Sequence, residues 1–278
     1  MTSNLLQTAL LRLSQGQLNL WAACPRKFQH IYLDQLAVLT PPEQQERLQW
    51  GNRFHLLMQQ RELGLPVEPL IAADHELQHC LSSLVAMAPE VFTSAPNNEA
   101  PMLRQSEHRR TLEFQGYLLT VIYDLVILEP QKGQILDWKT YPRPQNRKQL
   151  ALNWQTRLYP FLLAETSPLQ PEQISMTYWF VRSRAQPSTQ AQPQSLSFTY
   201  STALHEQTRQ DLSALLTQLT AQLQQHEMGE SLPQVSESAG LCANCHFAIR
   251  CQRSPDLQIQ AEVVNEWPDL ADIPEVIL

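Results

Sequence analysis

YLLTVIYDLVILEPQKGQILDWK, residues 117–139, consists of two apolar runs separated by the turn Glu129-Pro-Gln-Lys-Gly133, and each run carries a carboxylate. Runs rich in Val, Ile, Leu and Tyr, bounded by Pro and Gly, predict strands over 117–128 and 134–139 joined as a hairpin. Asp124 lies among Val121, Ile122, Tyr123, Leu125, Val126, Ile127 and Leu128. Burying a carboxylate in such a run is costly unless it is paired, hydrogen-bonded or bound to a cation. Side chains alternate along a strand, so Asp137 and Lys139 leave one face together while Trp138 takes the other. A hairpin brings Asp124 and Asp137 towards one point, where carboxylate oxygens suit a divalent ion such as Mg²⁺, with Lys139 beside it. The simpler alternative is an Asp–Lys ion pair at a sheet edge, which contributes little.

Outward from this stretch, residues 103–115 read as a further strand, turned tightly into the next at Gln115-Gly116. A helix over 146–165 follows, then strands at 173–182 and near 195–200, then a long Gln-rich amphipathic helix over 202–228. On the N-terminal side, Ser14 with Gln17 forms a capping-box pattern for a helix beginning near residue 15. Pro25 interrupts that helix. Helices are predicted around 43–62, where Leu48, Phe54, Leu57 and Met58 give an apolar face, and around 74–88, with 89–101 a loop. Helices, a small meander and a strand–helix–strand passage predict an α/β sandwich with added helices. SRAQPSTQAQPQ, residues 183–194, reads as a flexible connection within the domain.

Composition narrows the function. The chain has 278 residues, 43% of them apolar and 17% charged, with no apolar run long enough to span a membrane. The N-terminus shows no secretion pattern, so a cytoplasmic address is expected. Its glycines form neither GxGxxG nor GxxxxGK[ST], which excludes the usual nucleotide-phosphate cradles. The net charge of −7 disfavours a phosphate-rich partner, but residues 255–278 hold six acids and no Lys or Arg, leaving the rest near −1. Lys139, Arg143, Arg147, Lys148 and Arg157 run without an intervening acid, and Arg182 and Arg184 follow. Such a run is either a solvated helix face or a phosphate track. Trp154 and Tyr141 stand near it as candidates for base stacking.

Five cysteines without a secretion signal argue against a disulfide framework. Cys242-Ala-Asn-Cys245 with Cys251 is a metal-like cluster lacking a fourth soft ligand, for which Cys24 is the candidate. Four thiolates can hold either a [4Fe–4S] cluster or tetrahedral Zn²⁺, and His246 could replace a cysteine in the zinc case. Cys80, beside Leu77 and Leu81, reads as a core residue.

Asp124, Asp137-Trp138-Lys139 and Gln155-Thr-Arg-Leu-Tyr159, preceded by Gly51-Asn-Arg-Phe-His55, resemble the PD-(D/E)XK nuclease superfamily, in particular its RecB-type branch. The resemblance implies a restriction-endonuclease-like α/β fold, a central mixed sheet flanked by helices, with helical additions. It implies that Asp124, Asp137 and His55 ligate Mg²⁺ or Mn²⁺ and that Lys139 is the catalytic lysine. Gln155 and Tyr159 would support that lysine and the nucleic-acid strand. One cysteine before this region and CxxCxxxxxC after it resemble the iron–sulfur staple of AddB-type and CRISPR-associated RecB-like exonucleases. That implies a [4Fe–4S] cluster on Cys24, Cys242, Cys245 and Cys251. The chain departs from the branch at Val121, where glycine is usual.

The expectation is a metal-dependent DNA nuclease, an exonuclease on single strands or free ends, spanning 1–254, with 255–278 an acidic extension. The alternative is a noncatalytic or partner-dependent nucleic-acid-binding subunit. No helicase motif is present, so unwinding would need a helicase partner.

Overall fold

β2 (Leu103–Phe114) and β3 (Tyr117–Glu129) form the expected antiparallel hairpin, in register from Leu103↔Leu128 to Phe114↔Tyr117. Both residues of its two-residue turn are left-handed, Gln115 at φ 49° and Gly116 at φ 79°, which matches the twist of the flanking strands. The structure is a computed structural model that describes residues 10–38, 40–72, 74–92, 102–143, 146–182 and 192–253. The acidic extension and most of the connection at 183–194 lie outside these residues.

β4 (Lys132–Lys139) pairs antiparallel with β3, and Glu129↔Lys132 closes the turn on Pro130-Gln131 alone. Gly133 therefore belongs to the strand, not to the turn. A Cβ there would lie 2.7 Å from Leu169 Cδ1, so the glycine answers a close approach. β5 (Ile174–Phe180) runs parallel to β4, and β6 (Gln194–Thr199) antiparallel to β5. A strand that the sequence pattern did not predict, β1 (Leu11–Leu13), runs parallel to β3 at Tyr117–Leu119. Since β2 covers one edge of β3 throughout, β1 and β4 share the other edge. The two partners leave a fork between Leu119 and Leu125.

Helices cover both faces of this mixed sheet. The main core packs α1 (Gln15–Ala23), α8 (Trp154–Glu165) and α9 (Thr202–Glu227) on one face through Leu18, Leu158, Phe161, Leu212 and Leu216. A second core packs α3 (Pro42–Glu62) and α5 (His75–Met87) on the other through Phe54, Leu57, Leu77 and Leu84 against Leu125, Leu136, Trp138 and Trp179. Ser14 and Gln17 make the reciprocal capping box, and Pro25 ends α1 and opens the short α2 (Pro25–Phe28). A π-helical turn, Gln29–Leu33, follows α2. Of the loop expected at 89–101, Pro89–Phe92 is a short helix, α6, after the short α4 (Glu68–Ile71). The helix expected over 146–165 is two helices, α7 (Arg147–Leu152) and α8. Asn153 adopts extended backbone between them, accepts from the Gln155 N–H, and is tied to Asn19 at 3.1 Å.

The alternation of side chains reverses within the hairpin. In β3 the residues facing the main core are Tyr117, Leu119, Val121 and Tyr123, then Val126 and Leu128. In β2 they are Phe114 and Leu112, then Leu103. Both reversals fall at one cross-strand level, that of Glu107 and Asp124. Glu107 has φ 49°, a left-handed conformation rare for a residue with a side chain.

Candidate active site

At this level the register aligns three acids on neighbouring strands: Glu107 on β2, Asp124 on β3 and Asp137 on β4. Ladder pairing skips Glu107/Asp124, since Ser106↔Leu125 and His108↔Tyr123 flank it. β3–β4 pairing stops at Leu125↔Leu136, one step short of Asp124 and Asp137. Beyond it the Trp138 N–H donates to Asp124 Oδ2 at 2.6 Å, so a side chain takes over the acceptor role of the backbone. Like charges directly opposite on a sheet repel, so this row calls for a cation.

Two helices reach the row from opposite faces. α3 supplies His55, whose Nδ1 is 3.5 Å from Asp124 Oδ1. One turn earlier, Gly51 lets α3 lie against the end of β4. A Cβ there would be 3.0 Å from Thr140 Oγ1. α8 supplies Gln155, which accepts from Lys139 Nζ at 2.8 Å and donates through Nε2 to Asp137 Oδ2 at 2.6 Å. Lys139 Nζ also stands 2.6 Å from Asp137 Oδ1, a buried oxygen that this ion pair neutralises. Trp138 points into the second core, as strand alternation predicts.

The electrostatics follow from burial and crowding. Burial would lower His55, but the Asp124 charge and hydrogen bond raise it from 6.5 to about 9. Burial would raise Asp124, and His55, then Lys139, hold it below its ordinary value. Asp137 is raised by burial, with Lys139 opposing and Asp124 adding. Glu107 is raised to about 7 by burial and then by the Asp124 charge. Ligand atoms of His55, Glu107 and Asp124 lie within 4.8 Å of one another, and no other group of three His, Cys, Asp or Glu does so among the described residues. Carboxylates with one imidazole make a hard, oxygen-rich donor set of the kind that suits Mg²⁺ or Mn²⁺.

The structure thus brings together His55, Asp124, Asp137, Lys139 and Gln155, and adds Glu107, which sequence reading missed. Its signal was available: a two-residue turn at Gln115-Gly116 puts 107 opposite 124. Tyr159 lies in the main core, 2% exposed, its ring edge-on to Tyr123 at 5.3 Å, and its carbonyl accepts from the Tyr123 hydroxyl. Trp154 is 5% exposed beneath Arg157, so it cannot stack on a base. Tyr141's hydroxyl is buried near Asp137 without a hydrogen-bond partner. Of the basic run, Arg157 pairs with Asp211, and Arg147 lies over Phe198 and donates to the Ser197 carbonyl. Arg182 pairs with Glu76 over Trp50. Arg143 and Lys148 are exposed.

All five cysteines are free thiols, and Cys80 is in the second core as expected. Cys24 caps α2, its Sγ accepting from the Lys27 N–H at 3.4 Å. The Cys251 thiol is raised by burial and then by Cys245, with Arg26 opposing and Cys24 and Cys242 adding. The sulfurs of Cys24, Cys242, Cys245 and Cys251, expected from the sequence to form one cluster, do not close to the spacing of ligands on one ion. His246, the imidazole expected there from the sequence, is exposed.

A family model described as the PD-(D/E)XK nuclease superfamily matches residues 12–252. No curated protein matches the chain. Among 16 matching solved chains is a provisionally named exonuclease from Eubacterium rectale, at 10% identity and a TM-score of 0.43, covering 78% of this chain and 85% of that one.

Proposed function

The chain belongs to the PD-(D/E)XK nuclease superfamily, and from that membership we propose a metal-dependent DNA nuclease of the RecB-type branch. It would hydrolyse phosphodiester bonds as an exonuclease on single strands or free ends. The observation that carries this reading is the row Glu107, Asp124, Asp137 with Lys139 held at its end by Gln155. The order of His55, Asp124, Asp137-Trp-Lys139 and Gln155 through Tyr159 supports the branch.

In this reading His55, Glu107 and Asp124 hold Mg²⁺ or Mn²⁺, and Asp137, the ligand expected from the sequence where the structure brings Glu107, stands beside them as a further oxygen donor. Bound there, the cation would polarise a phosphoryl oxygen and lower the pKa of a water. Lys139 is placed to orient the attacking water and to offset charge developing on the phosphoryl group. Gln155 fixes Lys139 and Asp137 relative to each other through its two amide atoms. Tyr159 holds α8 against β3, which keeps Gln155 at that height. Exposed Arg143 and Lys148 offer contacts to DNA phosphates beyond the reacting one. Duplex unwinding, where needed, falls to a separate helicase.

Cys24, Cys242, Cys245 and Cys251 are proposed to form a soft-metal staple, a [4Fe–4S] cluster or alternatively Zn²⁺. It would join the start of a nuclease unit spanning 1–254 to its end and close a long loop. Residues 255–278 would form a separate acidic extension.

The test is incubation of labelled single- and double-stranded DNA with Mg²⁺ or Mn²⁺, comparing the wild type with Asp137→Ala and Lys139→Ala. Cleavage by the wild type alone, with all three folded, is expected. Equal behaviour of the three would instead favour a noncatalytic nucleic-acid-binding subunit.

A further inference from the structure

The second core covers the α3 side of β3 only on one side of the acid row. It includes Leu125 and Ile127, and no residue of β3 before Asp124. In that earlier half, Leu119, Val121 and Tyr123 face the main core, so Leu118, Thr120 and Ile122 leave by the α3 side. Leu118 and Ile122 are half-buried and belong to neither core. The Thr120 hydroxyl between them has no hydrogen-bond partner among the described residues.

Register fixes what flanks this strip. Arg109 on β2 pairs with Ile122 and Arg12 on β1 pairs with Leu118, so both arginines leave by the same face. Both are exposed, and neither makes an ion pair among the described residues. Along the strands, Arg109 lies about 7 Å from the level of Glu107, and Arg12 about 20 Å from the level of Asp124. They stand on opposite sides of β3. Glu113, also exposed on this face, pairs with Leu118 on β2. It lies two strands from Arg12, about 10 Å away, too far for an ion pair.

We propose that this strip is the track of a single polynucleotide strand running from the acid row, with Arg109 and then Arg12 binding phosphates successively farther from the reacting one. Two guanidiniums without counter-ions, spaced along a line, match an anion that repeats along a line. Leu118 and Ile122 give sugars and bases an apolar floor, one β-strand wide between the flanking arginines, which admits one strand. The strip runs without interruption into the acid row. None of its residues is aromatic, so phosphates carry the binding, which is therefore indifferent to sequence and steeply salt-dependent. A second copy of this chain would need a larger apolar patch than two aliphatic side chains beside three exposed charges. The inference rests on the nuclease reading to the extent that the acid row must take a phosphate; whether a bond is cut there is measured separately.

Binding of fluorescent thymidylates of about 3 and about 16 nucleotides is measured in Ca²⁺ over a salt series, and cleavage in Mg²⁺ on the same preparations. Arg109→Gln should weaken binding of both lengths about fivefold, whereas Arg12→Gln should weaken only the longer. Each should reduce the slope of log affinity against log salt by about 0.7. Glu113→Gln, which removes a charge that repels phosphate, should tighten binding of the longer one. Lys132→Gln, at the opposite end of β3, should match the wild type. In cleavage the arginine variants should raise KM and leave kcat near the wild-type value. Wild-type affinity and salt slope in both arginine variants would overturn the proposal. So would a changed oligomeric state with unchanged DNA affinity, which would make this face a protein interface. Binding that follows this pattern without cleavage upholds the track and removes the nuclease reading; cleavage indifferent to both arginines does the reverse. A wild type that neither binds nor cuts removes both.

Discussion

Glu107 and Asp124 face each other directly across β2 and β3, in a hairpin whose ladder is intact on either side of them. Two partly buried carboxylates at that separation repel, and only a cation or a proton relieves them. Glu107→Gln removes the repulsion while keeping the shape. It should raise the melting temperature of the metal-free protein by roughly 2–4 °C, the shift expected for about 1 kcal/mol in a domain of this size. It should also reduce the stabilisation gained from Mg²⁺. Thermal melts with and without the ion check both, and a variant less stable without metal would show that the pair is not strained.

The pH dependence has a definite sign. His55 is raised from 6.5 to about 9, so its pairing with Asp124 contributes stability present in full below 6.5 and lost as pH rises through about 9. Glu107 is raised from 4.5 to about 7, so the stability of its protonated form is present below 4.5 and lost as pH rises through about 7. Asp124 is lowered, so its contribution is present above 3.8 and is lost as pH falls through its folded value. The metal-free fold should therefore lose stability between about pH 5 and about pH 9, and a divalent ion, binding the deprotonated groups, should restore more at the alkaline end. Melts with Mg²⁺ at about pH 6 and about pH 9 test this. A shift that shrinks with rising pH would contradict it.

Gln155 joins Lys139 and Asp137 with one amide. Gln155→Leu keeps the bulk of the side chain and removes both bonds. If the cluster cleaves DNA, turnover should fall by about 10²-fold, the scale of a misplaced reacting group, while DNA binding measured in Ca²⁺ stays near the wild-type value. Equal losses in binding and turnover would point to a damaged fold.

Gly51 and Thr140 set how closely α3 approaches β4. Gly51→Ala should displace His55 from Asp124, and cleavage and Mg²⁺ binding should both drop. Thr140→Ala removes the obstructing Oγ1, leaving the Thr140 Cβ at an ordinary 3.8 Å from the new methyl. The double variant should recover what the single one loses, and a double-mutant cycle measures the coupling.

Local rules made the outline legible. Ser14 and Gln17 mark the start of α1, Pro25 its end, and Gln115-Gly116 the hairpin turn. β1 was not legible because three residues carry no period, and its pairing with β3 is a long-range event. Asn153 divides α7 from α8 because Asn19, far away in sequence, binds it. Asp124, Asp137 and Lys139 could be read as a set from alternation within two strands. Glu107 required the register of a third.

The paired reversal in β2 and β3 has a kinetic meaning. In an ordinary hairpin a slip of two residues preserves which side chains face inward. Here such a slip would part the two kinks and turn a stretch of apolar residues outward, so mispaired forms are penalised early. The register of this one local unit is consequently enough to bring Glu107 and Asp124 to a common height.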